Sequence, residues 1–215
     1  YLSSILTDGQ WDWPRAVEDV KHIVETVQQF WGEVPYPHYW FLNIAAESYG
    51  GLEHDDNTVL MTSRWAMQKR DSYLQWLGLV CHEFFHTWNV RRLRPRALQS
   101  YDYNREQCFE ELWIAEGITS YYDDLLLCRA AIATESEYLD LLKKAIQGVE
   151  DTPGRLVQSL VQSSVDAWIK HYRPDENSPN ARISYYVKGA VVAFLLDMSI
   201  RMATENTRSL DDCMR

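Results

Sequence analysis

In the stretch WPRAVEDVKHIVETVQQFWG, Trp13 to Gly32, apolar residues at Val17, Val20, Val24, Val27 and Trp31 recur every three or four positions. That period lines one face of an α-helix, with Pro14 suited to its first turn and Gly32 to its end. Two shorter apolar runs follow, HYWFLNIAAE (His38 to Glu47) and NTVLMTS (Asn57 to Ser63), each bounded by Pro, Gly, Asp or Asn. These boundaries predict strands, and YGGLEHDDN between them predicts a turn. From Asp71 the pattern is helical almost to the end: one long segment through Val90, a second from Glu106 to Cys128, and a third after Thr134, which with Glu137 forms a candidate capping box. Two more helices are expected near Arg155 to Ile169 and Tyr185 to Ala203. HYRPDENSPNARIS, His171 to Ser184, carries two prolines and several turn formers and reads as loop. The expected fold class is α+β and mostly helical, with a small strand-containing part over residues 1–70 and a helical part over 71–215. No internal repeat or low-complexity segment interrupts it.

Composition narrows the function classes. The chain has 215 residues, 46% hydrophobic and 24% charged, enough for a substantial core in one or two domains. A net charge of -10 argues against a nucleic-acid or anionic-membrane partner, since either needs a basic face. No apolar run approaches the roughly 20 residues that span a bilayer, and no charged and apolar leader precedes Tyr1. Lacking a starting Met, the chain reads as an excised or processed piece, and neither compartment nor oligomeric state is legible. Cys81, Cys108, Cys128 and Cys213 show no paired spacing and are expected to be buried free thiols.

Chemistry enters with LVCHEFFHTWNV, Leu79 to Val90. On a helix, positions four apart share a face, so His82 and His86 can hold one cation while Glu83 reaches a water on it. The competing reading is a core helix with two hydrogen-bonded histidines. A catalytic zinc site takes three protein ligands and leaves a fourth position open. In ELWIAEGITSYY, Glu111 to Tyr122, Glu116 is the preferred third ligand; Asp102, Glu106, Glu110 and Glu111 stay open, because periodicity does not choose among them.

Taken together, HEFFHTWNVRRLRP, LWIAEGITSYY and YYVKGAVVAFLLDMSIR, in that order and spacing from about Tyr49 to Arg215, resemble the glycyl aminopeptidase family, peptidase family sixty-one, within the thermolysin-like zinc peptidases. The resemblance implies a thermolysin-like catalytic domain and one Zn²⁺ per chain. It assigns His82, His86 and Glu116 as ligands and Glu83 as general base. The 29 residues between His86 and Glu116 imply an inserted loop containing RRLRPRALQSYDYN. YGGLEH is similar to the exopeptidase motif GxMEN of aminopeptidase N, with Leu52 for Met and His54 for Asn. By that likeness Glu53, with Gly50 and Gly51, binds the substrate's free α-amine; the alternative is a Gly-Gly turn. YVKG is similar to a YxKG motif and assigns Tyr186 to the developing oxyanion, with Tyr185, Tyr121 and Tyr122 left to packing. Where thermolysin-like sites carry an aspartate one turn after the third ligand this chain has Ser120, which leaves Asp123 and Glu110 as candidates to orient a zinc histidine. The family's flanking β-rich and PDZ domains have no room here, so an isolated catalytic core is expected.

The implied function is a zinc-dependent aminopeptidase acting on a peptide with a free N-terminus, with Gly or Ala suggested by the family name. Two alternatives stand beside it: an endopeptidase of the same clan, and a catalytically silent peptidase-like binding module.

Overall fold

The computed structural model describes residues 1–5, 11–100, 102 and 104–215, with backbone alone for 2–5. Of the expected inserted loop, Tyr101 and Tyr103 lie outside the described residues. Contacts divide the chain into two compact units, Tyr1–Leu93 with Asp123–Glu135, and Arg94–Tyr122 with Ser136–Arg215. The fold is α+β and mostly helical.

The first unit is built on a four-stranded sheet with order β1-β2-β4-β3: β1 (Leu2–Ile5), β2 (Trp40–Ala45), β3 (Gly50–Glu53) and β4 (Asn57–Thr62). The first three in that order are parallel; β3 pairs antiparallel to β4, with Gly51 opposite Leu60 and Glu53 opposite Thr58. The segment expected as a turn is therefore an edge strand. Four residues, two of them glycine, carry no alternation to announce a strand, and pairing with β4 supplies what propensity does not.

Helix α1 (Trp13–Trp31) starts with Asp12 accepting from the Arg15 N–H, carries Pro14 in its first turn, and stops at Gly32 with φ 74°. Glycine adopts that left-handed conformation without steric cost. Its buried stripe is Ala16, Val20, Ile23, Val27 and Phe30. Val17, expected on the apolar face, is 49% exposed. The correction is one of phase: a stripe centred on position 16 buries the aromatic at 30 and leaves Trp31 at its edge.

Helix α2 (Arg70–Phe85) is buried on every side from Tyr73 onward except at Gln75. Trp76 is fully buried and donates its indole N–H to Asn43 of β2 at 3.1 Å. Around its C-terminal end the rings of Phe84, Phe85, Trp88, Trp31, Tyr39 and Phe41 meet edge to face, tilted or stacked. Fully burying a Phe or Leu contributes roughly 1.5–3 kcal/mol, so this cluster anchors the helix end that carries the motif. The α-helix ends at Phe85, shorter than the expected Val90; residues 86–92 continue as turns that bond back to Phe84, Phe85, His86 and Trp88.

In the second unit, α3 (Leu112–Arg129) begins six residues later than expected, residues 106–111 being irregular. This helix is continuous, and its last turns, from Asp123, belong to the first unit. After it come α4 (Glu135–Glu150), which starts directly after Thr134, and α5 (Leu160–Val165), opened by a Ser159–Gln162 capping box. Five π-helical residues, Ala167–His171, follow. The helix expected over 155–169 is thus a 3₁₀ turn, a short α-helix and this π segment. Next are α6 (Ser178–Ala181), α7 (Tyr185–Ala203), as expected, and α8 (Asp211–Met214). Helices α3 and α7 approach so closely that Gly117 and Gly189 face one another without room for a Cβ. Asp197, on α7, is buried and accepts from the Tyr121 hydroxyl, the Arg201 guanidinium and the Leu210 N–H, at 2.7, 2.9 and 2.7 Å.

All four cysteines are free, but only Cys81 is buried; Cys108 and Cys213 are exposed. The expectation of buried thiols fails for those two, which stand outside the packed helix interiors. No described helix is long and apolar enough to cross a membrane.

Candidate functional site

The first unit gathers His82, His86, Glu83, Glu53, Gly50 and Gly51. His82 lies in the last turn of α2 and His86 caps it, with ring centroids 4.6 Å apart. The Nδ1 of His82 bonds Asp123 Oδ2 at 2.9 Å, and that of His86 bonds the carbonyl oxygen of Asn89 at 2.8 Å. Carbonyl and carboxylate oxygens only accept, so each Nδ1 carries a proton, and in the neutral ring each Nε2 keeps its lone pair. This tautomer is the one a metal-ligating histidine needs. The donor set therefore fits zinc.

Asp123 was one of two candidates for this orienting role, and it sits one helical turn beyond Thr119 on α3. Burial pushes its carboxyl above the usual range, while the bond from His82 pulls the other way. Asp124 beside it is pushed up to about 8, by burial and by the charge of Asp123. Burial likewise raises the Cys81 thiol, leaving it an inert packing group next to His82.

Glu83 is 5% exposed. Its carboxylate lies against the backbone of β3, so that a Cβ added at Gly51 would run into its Cγ, Cδ and Oε1. Alternation along β3 brings Glu53 to the same side as Gly51. One ligand-type atom each from Glu53, Glu83 and His86 lie within 4.8 Å of one another. Two carboxylates this close repel unless a cation stands between them. The arrangement is braced from outside: Arg91 pairs with Asp55 at 2.7 Å, and Arg92 donates to the carbonyls of Asp55, Thr87 and Pro35. These arginines, from RRLRP, tie the turns after α2 to the β3–β4 connection.

The second unit holds Glu116 and Tyr186. Glu116 is half-buried in the second turn of α3, and Tyr186 in the first turn of α7. Burial first, and the Glu116 charge second, hold the Tyr186 phenol above its ordinary range, so it stays a hydroxyl donor at working pH. The Tyr185 hydroxyl donates to that of Tyr172 at 3.2 Å, and Tyr172 and Tyr186 hydroxyls are 3.2 Å apart. His171 packs its ring on Tyr185 and Tyr186, and its Nδ1 accepts from Arg182 Nη1 at 3.2 Å. Burial, then the Arg182 charge, lower the His171 pKa, so it is neutral with its proton on Nε2. The sequence places His171 and Tyr172 in a loop and gives them no role; His171 ends the π-helical turn and Tyr172 caps it, a local irregularity that hydrophobic period does not encode. Tyr185, Tyr121 and Tyr122 are buried, at 0, 5 and 0% exposure. Of the other acidic residues considered for the third ligand, Asp102, Glu106 and Glu110 are exposed and Glu111 is half-buried at the start of α3.

Comparison with known proteins gives this geometry a lineage. A crystal structure of an aminopeptidase N family protein from Idiomarina loihiensis is 39% identical, with a TM-score of 0.92 over 97% of this chain. The chain spans 37% of that structure's length. No curated protein matches it. The profile described as M61 glycyl aminopeptidase matches residues 75–192, a stretch that begins before the paired histidines and ends beyond Tyr186. The chain belongs to the M61 glycyl aminopeptidase family.

Proposed function

We propose that this chain is the catalytic core of a zinc aminopeptidase with a thermolysin-like site, in which His82, His86 and Glu116 hold one Zn²⁺. The observation that carries the reading is the setting of Glu83, a buried carboxylate pressed on an edge-strand backbone beside two histidines whose Nε2 lone pairs are preserved. Glu116 is supported by helical phase. It precedes Asp123 by seven residues on one continuous helix, which returns to within about 20° of the same face some two turns along. Bound zinc supplies Lewis acidity and makes water a usable nucleophile near neutral pH.

The remaining work belongs to side chains of this chain. Glu83 takes the proton of the attacking water and passes it to the departing amine. The Tyr186 hydroxyl donates to the oxygen that gains charge in the transition state; losing such a donor commonly costs about 10²–10³ in turnover. Glu53 pairs with the substrate's α-ammonium, the cation that relieves its closeness to Glu83. Filling that place with a free N-terminus is what makes cleavage aminopeptidic, and Gly or Ala as the first residue follows from the family's name.

The test uses the zinc-loaded chain on glycyl and alanyl anilides, free and N-acetylated, with Glu83→Gln and Glu53→Gln beside it. Cleavage of free amines alone, lost in Glu83→Gln with one zinc retained, is expected. Cleavage of acetylated substrates would favour an endopeptidase, and a folded protein that binds no zinc would refute the reading.

A further inference from the structure

One open groove of the first unit lies outside the residues assigned so far. It has a volume of about 610 Å³ and is lined by Tyr49, Thr62, Trp65, Lys69, Ser72 and Gln75 among others. It begins where β3 begins: Tyr49 immediately precedes Gly50, and Thr62 ends β4 alongside. Its far wall is the exposed side of the first turns of α2, Lys69, Ser72 and Gln75, with Trp65 and Tyr49 exposing 46 and 52% of their surface as apolar sides. The Tyr49 hydroxyl donates to the Gln75 carbonyl at 3.2 Å, fixing strand start to helix. Lys69 is exposed, and its ammonium has no ion-pair partner among the described residues.

Edge strand β3 is thus bracketed by opposite charges. Glu53 stands at one end, beside Glu83, and the groove with Lys69 opens at the other. Tyr49 and Glu53 are four residues apart, about 14 Å along an extended strand. An extended peptide of four residues spans nearly the same length. A peptide laid antiparallel on the free edge of β3, with its ammonium at Glu53 and its first peptide bond by Gly51 and Glu83, runs past Gly50 and Tyr49 into the groove. The charges therefore match a short zwitterion, not the middle of a long chain.

We propose that this groove seats the downstream end of short peptides, with Lys69 pairing their C-terminal carboxylate, so that free tetrapeptides are the preferred substrate class. The inference rests on the amine-binding role proposed for Glu53, which fixes the direction of the peptide. Tyr49 and Trp65 contribute side-chain contact to the downstream residues, and Ser72 and Gln75 supply polar partners for their backbone.

The test compares Ala-Gly-Gly-Ala with its C-terminal amide at low salt, as the ratio of their kcat/KM values, on the zinc-loaded chain and on Lys69→Ala and Lys69→Glu. The same pair is titrated onto Glu83→Gln protein, which reads binding apart from turnover. The acid is expected to lead the amide about three- to five-fold, the range of a solvent-accessible ion pair. That ratio should fall to near one in Lys69→Ala, invert in Lys69→Glu, and collapse in ~0.5 M salt. The dipeptide Ala-Gly, too short to reach, should show no Lys69 dependence of its own acid-to-amide ratio. Equal handling of acid and amide by the wild-type chain, or a preference that survives both Lys69 variants, overturns the groove assignment while leaving alanyl anilide cleavage to speak for the aminopeptidase reading. Failure to cleave the anilide or either peptide, with no binding to Glu83→Gln, overturns both.

Discussion

Replacing Gly51 by alanine adds one methyl group at the place where β3 meets the Glu83 carboxylate. A Cβ there lies well inside van der Waals contact of Cγ, Cδ and Oε1 of Glu83, so something must move. The strand is held to β4 through Gly50 opposite Met61 and Gly51 opposite Leu60, and Leu60 is wholly buried. Helix α2 is fixed by Trp76 and the aromatic cluster at its end. The group free to yield is the carboxylate. Overpacking of this kind costs about 1–3 kcal/mol, against which alanine returns about 0.4–1 kcal/mol by restricting the unfolded chain. The net loss of stability is therefore modest, on the order of 1–2 kcal/mol. Catalysis should suffer far more, since displacing a reacting group by an ångström can cost about 10²-fold.

Gly50→Ala provides the contrast. Gly50 has φ 150° with nothing within 4 Å of an added Cβ, so its cost is backbone strain of about 1–3 kcal/mol, read in stability. Urea unfolding, zinc content and kcat/KM on alanyl anilide, measured for both variants, separate the two effects. A Gly51→Ala protein that keeps wild-type turnover, or gains stability without losing activity, would show that the glycine serves only the backbone and that Glu83 is not seated where the chemistry needs it.

Other substitutions test other links. Asp123→Asn removes the charge that orients His82 and should weaken zinc binding about 10–100-fold in chelator competition without unfolding the chain; unchanged affinity would remove Asp123 from the site. Gly189→Ala would place a Cβ 2.8 Å from Gly117 Cα and 3.0 Å from the Trp113 carbonyl, so urea unfolding should report a loss of about 1–3 kcal/mol. Burial pushes the Asp197 carboxyl upward, but the Leu210 N–H, Tyr121 hydroxyl and Arg201 outweigh it and the folded pKa is lowered. With the folded value below the unfolded one, its stabilisation is complete above about pH 4 and disappears as pH falls through the folded pKa. Asp197→Asn should therefore cost about 1.5–3 kcal/mol at pH 7 and flatten the acid limb of a plot of urea midpoint against pH; an unaltered acid limb would contradict the assignment.

How much of this was written in the hydrophobic pattern depends on what each element is made of. Helix α7 and strands β2 and β4 emerge within a few residues of their expected bounds, because a clear period and strong punctuation agree there. Strand β3 did not, since Gly50 and Gly51 carry no side chain to alternate and only Leu60 and Met61 across the ladder make them a strand. Helix α2 was overrun by five residues because turns bonded to Phe84, Phe85, His86 and Trp88 keep the helical spacing of side chains after the α-helix ends. In the site, spacing alone put the rings of His82 and His86 together, as four positions on a helix must. It could not single out a third carboxylate, and it could not reach the Asn89 carbonyl, which belongs to a backbone turn and has no residue type to read. His171 and Tyr172 depend on a π-helical turn whose existence is a tertiary matter.

The burial of α2 itself argues against the bland alternative of a core helix with two satisfied histidines. That alternative accounts for His82 and His86, each of which has an acceptor for its Nδ1 proton. It does not account for Glu83, placed between them in sequence, 5% exposed, and within reach of a second carboxylate, Glu53. Taking one carboxylate out of water is costly, and bringing another beside it raises that cost. A helix selected for packing would carry leucine at this position and gain stability by it, as the surrounding Phe84, Phe85 and Trp88 do. Two acids held together, Glu83 in the driest helix of the unit and Glu53 on the strand that lacks a side chain at Gly51 to admit Glu83, is an arrangement that stability alone opposes. Under the proposed function its rationale is a cation that arrives with the substrate and a proton that must be moved, and Glu83→Leu should then raise the urea midpoint even as it abolishes turnover.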